Sequence, residues 1–125
     1  MATTDACISV TRIAGEALTI YRCVKTGALG RVTHTDVVAN GPVDGIVMED
    51  GINSGDNVPV AIPNGAICKV EAGGALAVGD EVTTNGSGQV TAAAAGNTII
   101  GTYLGTGAAA SGDVVEIQFA HKGVA

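Results

Sequence analysis

The sequence predicts an all-β fold, a single compact β-barrel or sandwich of about nine or ten short strands with an extended N-terminal arm. Nineteen glycines and three prolines are spread along the 125 residues, which indicates many tight turns rather than one flexible linker. Between these turns lie short β-branched segments in which apolar residues alternate with polar ones. One hairpin pattern also occurs twice, which is typical of a fold made of repeated strand pairs.

The N-terminal segment predicts an arm followed by two strands. Residues 1–6 are polar and without periodicity, so we expect an arm there. CISVTRI at 7–13 and ALTIYRCV at 17–24 are β-branched and roughly alternating. We therefore divide the chain into an arm with the first strand (1–14) and a β-barrel domain (15–125).

The next segment is less regular. GALGRVTHT, at 27–35, predicts a short strand between glycines. For residues 36–39 the sequence leaves a single helical turn and a loop as equal alternatives.

The repeated hairpin lies at 44–62 and again at 100–119. DGIVMEDGINSGDNVPVAI aligns with IGTYLGTGAAASGDVVEIQF when the second copy carries one extra loop residue. The second strand of each copy alternates, which predicts one buried and one solvated face. Pro59 lacks the N–H that a central strand needs, so this strand is predicted to be an edge strand or to begin pairing late.

A Gly-Asp pair opens a strand at three places. These candidate structural turns are Gly55 and Asp56, Gly79 and Asp80, and Gly112 and Asp113. Glycine permits positive φ, and aspartate can accept hydrogen bonds from the amides of its own turn. A metal or acid–base site would need these carboxylates to converge, and neither a His nor a second Asp lies at ligand spacing, so we expect no metal.

Charge and cysteine content exclude several function classes. The formal net charge is −6, although the first 35 residues are net basic. An acidic chain is a poor phosphate binder, so we expect no nucleic-acid partner, and the basic segment either faces an acidic protein surface or is only solvated. No signal peptide or membrane-length apolar run is visible, so we expect a soluble protein without a membrane partner. Three cysteines without CxxC spacing predict reduced thiols.

Catalytic motifs are not found in the sequence. His34 and His121 are isolated, and no nucleophile elbow, phosphate loop or zinc-protease motif is present. We therefore expect a protein that is not an enzyme and has no cofactor.

Five segments together resemble the small capsid cement, or decoration, proteins of tailed bacteriophages. They are GEALTIYRCV, GIVMEDGINSGDNVPVAIPNG, LAVGDEVTTNGSGQVTAAAAG, IIGTYLGTG and SGDVVEIQF. The resemblance covers roughly residues 15–120 and depends on the order and spacing of turns and strands. It implies an all-β, barrel-like homotrimer made in the cytoplasm of a host bacterium, which binds the major capsid protein on the outer surface of the virion and stabilises the shell.

A strand-addition arm is the natural capsid contact for such a protein, because an extended segment gains backbone hydrogen bonds with little sequence demand. We hypothesise that residues 1–13 form it. The candidate contact residues are Thr3, Thr4, Asp5, Cys7, Ile8, Val10 and Arg12. Alternatively, this segment is a frayed terminus followed by the first strand of the chain's own barrel.

Other functions remain as alternatives. An autonomous β-sandwich binding module for a carbohydrate or protein ligand fits the fold class, although three aromatic residues give little surface for stacking on sugars. The VGDEV turn is also similar to the one that opens lipoyl- and biotinyl-type domains, but Lys69 lies inside AICKVEAGG, away from a hairpin tip.

Overall fold

The computed structural model describes residues 8–34 and 43–124, and this part of the chain is all-β, as predicted. Its ten strands are β1 (Ser9–Ile13), β2 (Cys23–Thr26), β3 (Val32–Thr33), β4 (Gly45–Val47), β5 (Asn57–Ala61), β6 (Ile67–Glu71), β7 (Glu81–Thr84), β8 (Val90–Ala92), β9 (Thr98–Tyr103) and β10 (Val114–Val124). A single 3-10 turn at Ala28–Gly30 joins β2 to β3. No helix in the described ranges is long and apolar enough to cross a bilayer.

The ten strands form two five-stranded antiparallel sheets with the same topology. The first sheet has the order β1-β5-β4-β2-β3, and the second has the order β6-β10-β9-β7-β8. Isolated bridges recur at matching places, with Ala14 beside Val32 in the first sheet and Ala72 beside Val90 in the second. The chain therefore consists of two copies of one structural unit, which we call the first repeat (8–62) and the second repeat (66–124).

Sequence identities run through both repeats once they are aligned by structure. The segment Ala-Gly-x-Ala-Leu begins at Ala14 and again at Ala72, and a Gly-x-Val-Thr segment begins at Gly30 and again at Gly88. Sequence analysis detected only the 44–62 and 100–119 halves of this duplication. The N-terminal halves differ most at their β2 and β7 corners, where Tyr-Arg-Cys in one repeat stands for Gly-Asp-Glu in the other, and this difference hid the match.

Most inward positions are buried in both repeats, although Val10 and Arg12 on β1 are not buried where their counterparts Cys68 and Val70 on β6 are. The matched buried pairs are Ala14 and Ala72, Leu18 and Leu76, Val24 and Val82, Val32 and Val90, Val47 and Tyr103, Val58 and Val115, and Val60 and Ile117. Phe119 on β10 is fully buried and adds the only phenylalanine of the chain to the second core. Burial of a side chain of this size stabilises the fold by roughly 1.5–3 kcal/mol, so these few large residues matter in a core made mainly of Val, Ile and Ala.

The two repeats share part of one core. Cys23, Ile46 and Ala61 lie on the outer face of the first sheet, yet they are buried in the same apolar cluster as the core of the second repeat. The outer face of the first repeat is thus covered by the second repeat, and the two units pack as one body.

Two sequence predictions need comment here. β5 lies between β1 and β4, so the prediction that it is an edge strand is wrong. Its ladder with β4 covers only Val60 and Ala61, but its ladder with β1 runs from Asn57 to Ala61 and includes Pro59. The alternative of late pairing therefore holds only on the β4 side. β1 pairs with β5 over Ser9–Ile13, so this strand belongs to the first sheet. The predicted turn or loop at 36–39 lies outside the described residues.

Candidate interaction surfaces

The three Gly-Asp pairs form the same corner. The Oδ2 atoms of Asp56, Asp80 and Asp113 each accept a hydrogen bond of 2.9 Å from the amide three residues earlier. The preceding glycines have φ of +89°, +84° and +92°, a region that L side chains rarely adopt. Asn97 makes the same contact with the Ala94 amide at 2.8 Å, a fourth instance that the search for Gly-Asp missed because the acceptor is an amide.

These carboxylates do not assemble a site. No group of three or more His, Cys, Asp or Glu side chains within 8–34 and 43–124 could hold a metal ion. Each aspartate instead satisfies a backbone donor of its own turn, which is a structural use of a carboxylate.

The corner before β2 is different, although it occupies the position that Gly79 and Asp80 hold in the second repeat. Here Tyr21 has φ of +67°, and Arg22 follows it. A non-glycine residue in this region costs on the order of 1–2 kcal/mol. Such strain persists where surrounding contacts over-determine it, and Tyr21 and Arg22 lie at the contact between the repeats.

Hydrogen bonds join the two repeats at this corner. The Cys23 amide donates to Gly88 O at 2.7 Å, and the Glu71 amide donates to Tyr21 O at 2.8 Å. Arg22 donates to Glu71 Oε2 at 3.2 Å and to Ser87 O at 3.3 Å. Within the second repeat, Gln89 Nε2 donates to the same Glu71 oxygen that accepts from Arg22. We call this set of contacts the repeat junction.

A shallow cavity of about 190 Å³ lies beside the repeat junction. Its lining residues are Tyr21, Ile46, Val47, Met48, Ala61, Cys68 and Lys69. It is smaller than the roughly 300–1,000 Å³ that small-molecule sites usually offer. Its lining combines apolar side chains with Lys69 and with the buried thiol of Cys68.

The buried titratable groups also lack a catalytic arrangement. Burial raises the pKa of the Cys23 thiol to about 12, so this cysteine stays neutral and unreactive at ordinary pH. Burial lowers the pKa of His34 below 6.5, while Glu16 opposes this shift and Arg22 adds to it. His34 Nδ1 lies 3.3 Å from Glu16 Oε2. His34 Nε2 is buried without a hydrogen-bond partner among the described residues.

The proposed capsid-contact residues fall into two groups. Thr3, Thr4, Asp5 and Cys7 lie outside the described residues. Ile8 and Val10 are exposed at the edge strand β1. Arg12 is already used within the chain, since its Nη2 donates to Thr26 Oγ1 at 2.8 Å and to Gly30 O at 3.2 Å.

Six of the nine large exposed apolar side chains within the described residues fall in two groups, and the other three are Met48, Val114 and Val124. Ile8, Val10, Ile13 and Leu29 lie on β1 and on the turn between β2 and β3, and Leu29 is 90% exposed. Val78 and Leu104 are exposed beside β7 and β9 in the second repeat, and Val78 is 62% exposed. The sequence pointed to Ile8 and Val10 as candidate contact residues, but it did not indicate that the two surfaces could be partners. Comparing the equivalent positions of the two repeats reveals this relation.

Comparison with known proteins supplies the family. A family model described as phage cement protein matches residues 6–119, almost the whole chain. The chain belongs to the phage cement protein family. It is accordingly a structural protein of a phage head.

A solved structure supports the fold of this cement protein. The chain is similar to the N base of head fiber gp8.5 in bacteriophage phi29, with a TM-score of 0.71 and 24% sequence identity. The match covers 90% of this chain and 93% of that one. No curated protein matches the chain.

Proposed function

We propose that this cement protein binds the outer surface of a phage head as a homotrimer, contacts the major capsid protein and stabilises the shell without enzymatic activity. Membership of the phage cement family is the observation that carries the proposal. A trimer engages several capsid subunits at once, so weak individual contacts multiply through effective concentration.

The construction of the chain suits this role. The repeats share one apolar cluster and are joined by backbone hydrogen bonds, so a load applied to one repeat is passed to the other. A cement protein needs such a rigid body, a symmetric contact between copies and a surface for the capsid.

The N-terminal segment is our candidate for the capsid contact, with Thr3, Thr4, Asp5 and Cys7 as its contact residues. Because β1 is paired with β5, only the residues before Ile8 can be removed without breaking a sheet ladder. Strand addition to a neighbouring sheet would need little more than the backbone of this segment.

Deletion of residues 2–7 tests both parts of the proposal. Purified protein is mixed with undecorated heads, and bound copies are counted by electron microscopy after unbound protein is removed. The full chain should decorate the heads, and the deletion variant should lose at least about tenfold in apparent affinity, because each trimer loses three contacts. Its thermal unfolding should not change.

A variant in which residues 2–7 are replaced by Gly and Ser keeps the chain length and the backbone, so it should retain part of the binding that the deletion loses. Unchanged binding of the deletion variant would exclude the N-terminal contact. A full chain that does not decorate heads would exclude the proposed function itself.

A further inference from the structure

The repeat junction shows how one repeat docks on another. Three parts of the second repeat meet the outer face of the first repeat: the β6 strand, the turn at 87–89 and the end of β10. Gly88 approaches so closely that a Cβ there would lie 2.5 Å from Cys23 O. The contact therefore combines an edge strand with a tight turn.

The first repeat has the same edge and turn, but there they are exposed. Structural equivalence places Val10 at the position of Cys68, Ile13 at that of Glu71 and Leu29 at that of Ser87. We call this surface the free edge. It consists of Ile8, Val10, Ile13, Leu29 and Arg31.

The second repeat has the matching outer face, which is also exposed. Asp80 and Glu81 stand at the positions of Arg22 and Cys23, and Leu104 stands at the position of Met48, a lining residue of the junction cavity. We call this surface the open face. It consists of Val78, Asp80, Glu81 and Leu104.

The charges of the two surfaces are complementary. At the repeat junction the cation is Arg22 on the outer face and the anion is Glu71 on the edge. Between the free edge and the open face the main charges are reversed. Arg31, at the position of Gln89 beside Glu71, lies on the free edge. Asp80 and Glu81 lie on the open face, where Lys122 adds one cation that donates to Thr102 Oγ1 at 2.6 Å. Arg31 makes no ion pair within 8–34 and 43–124.

We infer that the free edge of one copy docks on the open face of the next copy, in a head-to-tail contact that repeats the geometry of the repeat junction. This inference rests on the proposed trimer and says which surfaces form it. A closed ring of three copies requires two different surfaces on each chain, since a single self-complementary patch gives only a dimer. The free edge and the open face meet that requirement.

The contact between copies is more polar than the repeat junction. The outer face of the first repeat buries three apolar residues, Cys23, Ile46 and Ala61. The equivalent residues of the second repeat are polar: Glu81, Thr102 and Gln118, in the same order. Association should therefore depend on protein concentration and on salt, because charge pairs at the rim of a contact are screened.

Leu29→Asp is the first test. Asp tolerates the left-handed conformation that Leu29 adopts, at φ of +60°, so the fold should survive. The new carboxylate would face Asp80 and Glu81 of the next copy, and the dissociation constant of the trimer should rise at least about tenfold. Mass is measured by light scattering over a range of concentrations, and folding is checked by thermal unfolding.

Thr106→Asp is the matched control. Like Leu29→Asp, it adds one negative charge. Thr106 belongs to the second repeat, which carries the open face, and its equivalent in the first repeat is Asp50. Asp50 stays exposed although the second repeat covers the nearby outer face, so position 106 should lie outside the contact. The control should retain the mass of the unmodified protein.

A charge exchange tests the pairing itself. Arg31→Glu and Glu81→Arg should each weaken the trimer, and the double variant should recover most of its stability, because every contact then carries both exchanged charges. If the double variant weakened the trimer by the sum of the two single effects, the proposed pairing of Arg31 with Glu81 would be wrong.

The outcomes separate this inference from the proposed function. A protein that decorates heads and forms trimers, but whose trimers are unaffected by Leu29→Asp and Arg31→Glu, overturns the inference alone. A monomeric full chain at all concentrations overturns the head-to-tail contact and the trimer together. The inference is supported if Leu29→Asp and Arg31→Glu each dissociate the trimer and Thr106→Asp leaves it intact.

Discussion

At the scale of single residues, aspartate in this protein is used for its oxygen atoms rather than for acid–base chemistry. Asp56, Asp80 and Asp113 each close a corner by accepting a backbone N–H, and Asn97 does the same with a neutral amide. The charge is therefore not needed for the geometry. Sequence reasoning could predict this role because the contact is made within four consecutive residues.

Asp56 provides a stability test of this use. Asp56→Ala removes the acceptor for the Asn53 amide and should lower the free energy of unfolding by about 0.5–2 kcal/mol. Asp56→Asn keeps an acceptor, as at Asn97, and should cost much less. Urea unfolding measures both; an equal loss in the two variants would mean that the charge, not the acceptor, stabilises the corner.

His34 should make stability depend on pH. Burial lowers its pKa below 6.5, so the unfolded chain binds a proton more readily than the folded chain. The stabilisation is complete above pH 6.5 and is lost as the pH falls from 6.5 through the lower pKa of the folded state. Urea midpoints of the unmodified protein should therefore decrease between pH 7.5 and 5.5.

His34→Gln should reduce that decrease. His121→Gln is the control, and it should leave the decrease in place because His34 is still present. The same pH slope in the His34 variant and the unmodified protein would contradict the assignment.

At the scale of elements, the turn that precedes β3 and the equivalent turn that precedes β8 have different surroundings. Gly30 and Gly88 are equivalent, with φ of +71° and +82°. A Cβ on Gly30 would meet nothing within 4 Å, whereas a Cβ on Gly88 would meet Cys23 O and the His34 side chain. The positive φ therefore comes from the turn itself and is found in both repeats. The close approach of Gly88 to Cys23 comes from the repeat junction and is found only in the second repeat.

The two glycines can be compared directly. Gly30→Ala should cost about 1 kcal/mol for the positive φ alone. Gly88→Ala should cost a further 1–3 kcal/mol, on the order expected for overpacking a buried contact. Denaturant unfolding at a concentration too low for copies to associate measures both, and equal losses would contradict the packing at Gly88.

At the scale of the whole molecule, the duplicated unit explains the composition of its strands. In the first repeat, β2, β4 and β5 carry buried apolar residues on both faces, as in Cys23 and Val24 or Ile46 and Val47. In the second repeat the residues equivalent to Cys23 and Ile46 are polar and not buried, as in Glu81 beside Val82 and Thr102 beside Tyr103. A strand that is apolar on both faces is covered on both faces, so this difference was the signal for the repeat junction.

The sequence by itself determined the all-β class, the positions of most strands and turns, and the family. These features depend on the alternation of side chains and on glycine, proline, asparagine and aspartate chemistry, all of which act over a few neighbouring residues. The repeated hairpin at 44–62 and 100–119 was also visible, because its glycines recur in both copies at a spacing that differs by only one loop residue.

The tertiary structure alone decided which strands are neighbours and how the repeats pack. The placement of β5 between β1 and β4, and the burial of Cys23, Ile46 and Ala61 by the second repeat, depend on contacts between residues far apart in the chain. Local preferences carry no information on such contacts, since a sheet gains stability from whichever strand pairs with it. The free edge and the open face became visible for the same reason: they are defined by what packs on their equivalents in the other repeat.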